Sequence, residues 1–198
     1  MINVQSTATK KLNVRKMTII GVLSAISIML SMTPLGFIPI GPTNATIMHI
    51  PVIIGAIIEG PVVGMTIGLI FGATSLLRAI TMPTITSFVL INPIVSILPR
   101  VLIGLIAYYV YNLVMKLTKN VLVSGWITGM VGSLINTIGV LGMVYILYAE
   151  RYAQALGESA STAKTLIFTI AATNGIPEAI IGGFVVSAVA VILNKRKK

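Results

Sequence analysis

The fold of this chain is decided by residues 45–77, ATIMHIPVIIGAIIEGPVVGMTIGLIFGATSLL. Two apolar runs meet there at the turn sequence Glu59-Gly60-Pro61. A helix places residues four apart on one face, and a face without side chains lets a neighbouring helix approach to backbone contact, as is common in lipid. The stretch therefore predicts two packed membrane helices, with a helix-packing surface made of Gly60, Gly64, Gly68 and Gly72.

The composition indicates an integral membrane protein. Of 198 residues, 56% are hydrophobic and 9% are charged, and no residue is an aspartate, whereas about a quarter of the residues of a soluble domain are charged. Cysteine is also absent, which excludes disulfides, thiolate metal sites and cysteine nucleophiles. We expect a protein without a metal site or a cofactor, surrounded by membrane lipid.

Six apolar runs predict an all-α protein, a bundle of six transmembrane helices in a single domain over residues 1–198. The expected helices are 17–32, 45–59, 61–78, a fourth that begins near Pro93 or Pro99 and ends at Leu117, 121–148 and 164–193. The second rises only about 22 Å, less than a hydrocarbon core of about 30 Å. Residues 33–44 and 79–99 are expected to be irregular, and such backbone at membrane depth must be buried in protein or line a cavity. Residues 149–163 are predicted to form a hydrophilic loop.

Lysine and arginine are distributed unevenly between the two sides of such a bundle. One side has Arg78, Arg100, Arg151 and Lys164; the side of the termini has Lys10, Lys11, Arg15, Lys16, Lys116, Lys119, Lys195, Arg196, Lys197 and Lys198. The positive-inside rule then places both termini, with short basic tails at 1–16 and 194–198, in the cytoplasm of a multi-pass bacterial membrane protein. This orientation signal explains the net charge of +10 better than a nucleic-acid partner does.

Several polar residues fall within or beside the apolar runs, mostly toward the outer side. Such groups usually face a partner or a wet cavity. The candidates for binding a substrate in an outward-facing pocket are His49, Arg78, Asn92, Arg100, Asn136, Asn174 and Glu178. The alternative is a set of interhelical hydrogen bonds. Arg78 and Arg100 together would attract an anion, although Glu178 could instead be an ionic partner of Arg100.

The sequence also excludes several kinds of activity. It has no GxxxxGK[ST] stretch, so it does not hydrolyse ATP through a P-loop. It has no aspartate and no pair of acidic residues placed for acid–base catalysis, so we expect no enzyme. A glycine-rich bundle with an outer pocket and no energy source is typical of a capture subunit that depends on partners. The alternative from another class is a self-associating pore or structural membrane protein that uses the Gly64-Gly68-Gly72 face.

The residues 45–77, TSFVLINP at 86–93 and PRVLIG at 99–104 resemble the substrate-specific S components of energy-coupling factor (ECF) vitamin transporters. The resemblance covers most of residues 15–193. It implies six helices with cytoplasmic termini, a vitamin bound near the outer face, and partners that are a transmembrane T component and two ABC ATPases. In that family small residues four apart on the first helix dock the T component. Gly21 and Ala25 have this spacing, with glycine in place of the first alanine of the family pattern.

Among vitamins, the runs HIPVIIG at 49–55 and TSF at 86–88 are most similar to the pantothenate branch of this family. An anionic ligand would also suit Arg78 and Arg100, because pantothenate has one carboxylate. The branches for cobalamin, hydroxymethylpyrimidine and folate remain alternatives. The resemblance thus implies ATP-driven uptake of a vitamin that is captured from the outer face.

Overall fold

The helices enclose two short strands near one end of the bundle. The structure, a computed structural model, describes residues 14–40 and 43–195. Its helices are α1 (Val14–Met32), α2 (Ile50–Glu59), α3 (Pro61–Thr81), α4 (Pro93–Thr118), α5 (Val121–Ala155) and α6 (Ala163–Lys195). All except α2 are long and apolar enough to cross a membrane. The prediction of an all-α bundle with six helices is confirmed for the described residues.

Residues 33–44 are more regular than expected. β1 (Phe37–Ile40) and β2 (Thr43–Thr46) form an antiparallel hairpin in which Phe37 pairs with Thr46. Because β2 occupies residues through Thr46, the second helix begins at Ile50 and not at Ala45. It keeps ten residues, a rise of about 15 Å.

Two other predicted boundaries were wrong. α5 continues through residues 149–155, AERYAQA, where we expected a loop, because Ala, Glu, Arg and Gln all favour helix. The irregular stretch is also shorter than 79–99. α3 runs to Thr81, and α4 begins at Pro93 behind the cap of Asn92, which leaves only residues 82–92 with a single 3-10 turn at Ser87–Val89.

The glycines of α3 lie against the backbone of α4. A side chain at Gly68 would overlap the carbonyl of Arg100, and one at Gly72 would overlap Ser96 and Ile97. A side chain at Gly64 would meet both Ala56 on α2 and Gly104 on α4. Gly60 does not share this contact: it forms the turn between α2 and α3 with φ 96°. Since α4 of the same chain covers this face, self-association of a pore through Gly64-Gly68-Gly72 is not supported.

Both ends of the described chain lie at the same end of the bundle. The Nε of Arg15, at the start of α1, lies 2.7 Å from a carboxylate oxygen of Glu59, at the end of α2. A cleft of about 350 Å³ is lined there by Arg15, Ile57, Tyr111 and Asn194, from α1, α2, α4 and α6. The hairpin and residues 82–92 lie at the other end, beside the last turns of α1 and α3.

Candidate functional site

A cavity of about 280 Å³ lies at the hairpin end of the bundle. Its walls come from α1, the hairpin, α3, residues 82–92, α4 and α5. The lining includes Ser31, Phe37, Thr46, Phe71, Ser75, Arg78, Thr84, Ser87, Arg100 and Asn136. The volume is close to the lower end of the range for small-molecule sites, about 300–1,000 Å³. Of the residues that the sequence predicted to bind a substrate, Arg78, Arg100 and Asn136 line this cavity.

Arg100 is a buried cation that the preceding proline helps to place. Pro99 lies inside α4 and has no N–H to donate to the carbonyl four residues earlier. That carbonyl belongs to Val95, and Nη1 of Arg100 donates to it at 2.8 Å. The guanidinium carbon lies 5.5 Å from the ring centroid of Phe71. Nε of Arg100 has no partner among the described residues, and the side chain is only 7% exposed.

Asn136 lines the same cavity and contains a second unsatisfied polar atom. It is 9% exposed, and its Oδ1 has no partner among the described residues. Buried amide oxygens normally accept a hydrogen bond. With Arg100, the wall therefore offers a cationic donor and an amide, which suits a small ligand that has an anionic group and further polar groups.

His49 is fully buried beside this wall but is not among the residues found to line it. Its Nε2 lies 2.8 Å from Oγ of Ser133, which itself donates to the carbonyl of Gly129 at 2.9 Å. Because that bond uses the hydroxyl proton, Nε2–H is the donor to Ser133. The second ring nitrogen has no partner among the described residues. His49 thus joins the start of α2 to α5 one turn before Asn136.

Glu178 holds the hairpin and does not pair with Arg100. One oxygen accepts hydrogen bonds from the backbone N–H of Thr46 at 2.8 Å and from its hydroxyl at 2.7 Å. The other accepts from the hydroxyl of Thr137 at 2.8 Å. The side chain is 5% exposed. The described residues contain no salt bridge between Glu178 and Arg100, although the negative charge of Glu178 still acts on Arg100 electrostatically.

The remaining three candidates have different surroundings. Arg78 is half-buried at the end of α3, and its guanidinium carbon lies 4.9 Å from the ring centroid of Phe37. Asn92 caps α4, since its Oδ1 accepts from the N–H of Ile94 at 3.0 Å and its Nδ2 donates to the hydroxyl of Tyr148 at 3.0 Å. Asn174 is half-buried on α6, and its Oδ1 has no partner among the described residues. Asn92 and Asn174 are not among the residues found to line the cavity.

The sequence analysis missed the hydroxyl groups of the cavity wall. Ser31, Thr46, Ser75, Thr84 and Ser87 all line it. One signal was available on α1, whose buried residues are Ser24, Ser27 and Ser31, three or four positions apart as expected for one helix face. No comparable signal marked Thr46, because its place depends on the pairing of the hairpin.

The residues predicted to dock a partner lie on the outside of the bundle. Gly21 and Ala25 are both exposed on α1, and no described atom lies within 4 Å of the position of a Cβ on Gly21. Unlike the glycines of α3, this pair is not covered by another described helix of the same chain.

Comparison with known proteins gives a consistent result. Residues 15–193 match the family described as ECF transporter, substrate-specific component. The pantothenate transporter PanT of Leuconostoc mesenteroides is 31% identical over 168 residues, 80% of this chain and 81% of that protein. The pantothenic acid transporter PanT of Lactococcus lactis is 29% identical over 170 residues, 79% of this chain and 81% of that protein.

The fold is also similar to a solved structure. ThiT from Listeria monocytogenes superposes with a TM-score of 0.61 over 92% of this chain and 96% of that chain. Its sequence is 17% identical, so this likeness concerns the fold alone.

Proposed function

The chain belongs to the family of ECF transporter substrate-specific components, and from that premise we propose that it captures pantothenate for ATP-driven uptake. As a member of that family it is a transporter subunit, not an enzyme, and a multi-pass membrane protein; five helices among its described residues are long enough to span. The two curated relatives are named as pantothenate transporters. The cavity at the hairpin end is the proposed binding site.

The observation that carries the choice of ligand is the state of Arg100. A buried cation that has no carboxylate within salt-bridge distance among the described residues is costly, and a carboxylate of the ligand could satisfy it with charge-assisted hydrogen bonds. Pantothenate has one carboxylate, together with hydroxyl groups and an amide. These suit the Asn136 amide and the hydroxyls of Ser31, Ser75 and Ser87 in the wall. Cobalamin, hydroxymethylpyrimidine and folate are the other vitamins to be tested.

We further propose that both termini are cytoplasmic and that the cavity opens toward the outer face. The bundle end that holds the start of α1 and the end of α6 also has the basic residues Lys16, Lys116 and Lys119, as the positive-inside rule requires for the cytoplasmic side. The hairpin end then faces outward. Energy would come from two ABC ATPases, and the transmembrane T component would dock on Gly21 and Ala25.

The first prediction concerns the carboxylate of the ligand. In purified protein, binding of pantothenate is compared with that of pantothenyl alcohol, in which a hydroxymethyl group replaces the carboxylate. We expect the wild type to lose about 10- to 100-fold in affinity, the value of one or two hydrogen bonds to a charged group. Arg100→Lys should weaken binding of pantothenate, because a point charge does not reproduce the guanidinium fork. Its affinity should also fall much less than that of the wild type when pantothenyl alcohol replaces pantothenate.

The matched control is Arg151→Lys, an exposed arginine on α5 whose guanidinium lies over Phe88. It should discriminate between the ligands as the wild type does. If the losses of binding free energy caused by Arg100→Lys and by the change of ligand are simply additive, Arg100 does not contact the carboxylate. Mass spectrometry of the molecule that copurifies with the solubilised protein would identify another vitamin directly.

A further inference from the structure

We propose that Arg78 and Glu178 are positioning residues that hold one residue pair of the hairpin, Phe37 and Thr46, against the cavity and thereby set the rates of ligand entry and exit. The inference rests on the proposed function, because the rates are those of pantothenate. The sequence suggested that both charged residues contact the ligand. The inference assigns them a different role.

The pair is the first part of the hairpin beyond an anchored base. Phe37 and Thr46 face each other across the two strands, and both line the cavity. Directly below them, the N–H of Ile47 donates to the carbonyl of Gly36 at 3.1 Å. The hydroxyl of Ser27 on α1 donates to the carbonyl of Met48 at 3.0 Å. Movement of the hairpin on this base would move the Phe37–Thr46 pair and widen the cavity.

The two strands of the pair are held by charges of opposite sign from different helices. Glu178 of α6 binds Thr46 through two hydrogen bonds, and Thr137 of α5 orients the same carboxylate from behind. Arg78 of α3 lies over the ring of Phe37 at 4.9 Å, within the range of a cation–π contact. Hydrogen bonds to a buried carboxylate are strong, whereas Arg78 is half-buried and its contact is weaker. The clamp thus joins α3 and α6 through the hairpin.

This arrangement separates the charged residues of the site by role. Arg100 lines the cavity, and its guanidinium makes one hydrogen bond to the described residues, so other N–H groups are available to a ligand. Both oxygens of Glu178 already accept hydrogen bonds, so the carboxylate is committed to the hairpin. If the clamp opens when ligand passes, weakening it lowers the barrier in both directions. Association and dissociation then accelerate together, while the equilibrium affinity changes little.

The test compares substitutions that break a clamp contact with conservative ones that keep it. Thr46→Val removes the hydroxyl donor and Thr46→Ser keeps it; Arg78→Met removes the cation and Arg78→Lys keeps it. Rates of association and dissociation of radiolabelled pantothenate are measured on purified protein. We expect Thr46→Val and Arg78→Met to raise both rate constants about tenfold with less than a threefold change in Kd. Thr46→Ser and Arg78→Lys should remain near the wild type.

A second measurement does not depend on any ligand. Hydrogen exchange in the ligand-free protein reports the N–H of Thr46, which is bonded to Glu178. Arg78→Met should accelerate exchange there about tenfold relative to Arg78→Lys, because opening of either strand exposes the pair. Equal exchange in the two variants would overturn the clamp, even if the wild type proves to bind another vitamin or none.

The rate data also distinguish positioning from direct contact. If Arg78→Met slows association and loses the preference for pantothenate over pantothenyl alcohol, Arg78 contacts the carboxylate and the proposal is wrong. If the wild type binds no pantothenate but the exchange result holds, the choice of ligand fails and the clamp stands.

Discussion

At the scale of single residues, the pair Pro99-Arg100 shows how a charge is tolerated within a membrane helix. The proline leaves the carbonyl of Val95 without its usual helical donor, and the next side chain returns to occupy it. The arginine therefore satisfies a backbone group that would otherwise be unpaired in a medium without water. The other N–H groups of the guanidinium are left for a ligand. One dipeptide thus both repairs the helix and supplies the proposed binding group.

The residue-scale prediction distinguishes two asparagines that look alike in the sequence. Asn136 lines the cavity and has an oxygen without a partner among the described residues, whereas Asn92 caps α4. Asn136→Ala should weaken binding of pantothenate about tenfold and leave the melting temperature in detergent nearly unchanged. Asn92→Ala should cost about 1 kcal/mol of stability, the usual value of an N-cap, with little change in Kd. The proposed site would be contradicted if Asn92→Ala weakened binding and Asn136→Ala lowered only the stability.

The sequence predicted candidates of this kind by a single rule, that polar groups in apolar runs have a purpose. The rule selected Arg100 and Asn136, which line the cavity. It could not separate them from Asn92, because capping and ligand binding use the same amide. It also could not find Thr46, since threonine is unremarkable in a loop and gains its contact with Glu178 only through tertiary packing.

At the scale of elements, the glycines of α3 determine how deep the binding residue lies. Gly68 faces the carbonyl of Arg100, and Gly72 faces the turn of α4 just before it. Because the two backbones touch there, the side chain of Arg100 is placed by the spacing of two helices. The glycine period predicted close packing of α3 from the sequence alone, but it could not identify α4 as the neighbour or exclude Gly60 from the contact.

The element-scale prediction compares two glycines. Gly68→Ala should destabilise the protein by about 1–3 kcal/mol, as overpacking does, and should weaken ligand binding because α4 moves. Gly142→Ala on α5 is the control: no described atom lies within 4 Å of its Cβ position, so the helix should gain up to about 1 kcal/mol. Thermal unfolding and Kd are measured for both. Unchanged binding in a destabilised Gly68→Ala protein would show that Arg100 is not placed by this contact.

At the scale of the whole molecule, orientation in the membrane follows from charge and is open to a direct test. Since the native chain lacks cysteine, single cysteines can replace Lys119 in the α4–α5 turn, Glu158 beyond α5, and Ser6 and Lys198, which lie outside the described residues. In whole cells an impermeant thiol reagent should label only the cysteine at position 158. Labelling at position 6 with protection at 158 would reverse the topology and place the cavity on the cytoplasmic side.

A second prediction at this scale concerns the partner helix. Gly21→Leu with Ala25→Leu adds bulk to the exposed face of α1 without removing a polar group. We expect pantothenate binding by the isolated protein to stay within about twofold of the wild type, while ATP-driven uptake with the partner subunits is lost, because close approach requires small residues. Gly142→Leu, which adds bulk to a different open face, should retain uptake. Normal uptake by the double variant would assign docking to another surface.

The order of helices and the class of protein were accessible from hydropathy, because the long runs exceed the thickness of the hydrocarbon core. The ends of the elements were not. The extension of α5 to Ala155 depends on local helix propensity in a polar stretch, and the hairpin depends on contacts with Arg78 of α3 and Glu178 of α6. These are the parts of the chain where water and packing, not lipid, decide the structure.

The brevity of α2 bears on how the chain enters the membrane. Insertion selects apolar segments of about 20 residues, and α2 has ten. It is instead enclosed by protein, with Val52, Ile53 and Ala56 inaccessible. The helices that enclose it include α3 and α4, which are synthesised later. We therefore expect α2 to settle into the bilayer only after α4 has emerged from the ribosome, so that the centre of the bundle is among the last parts to be completed.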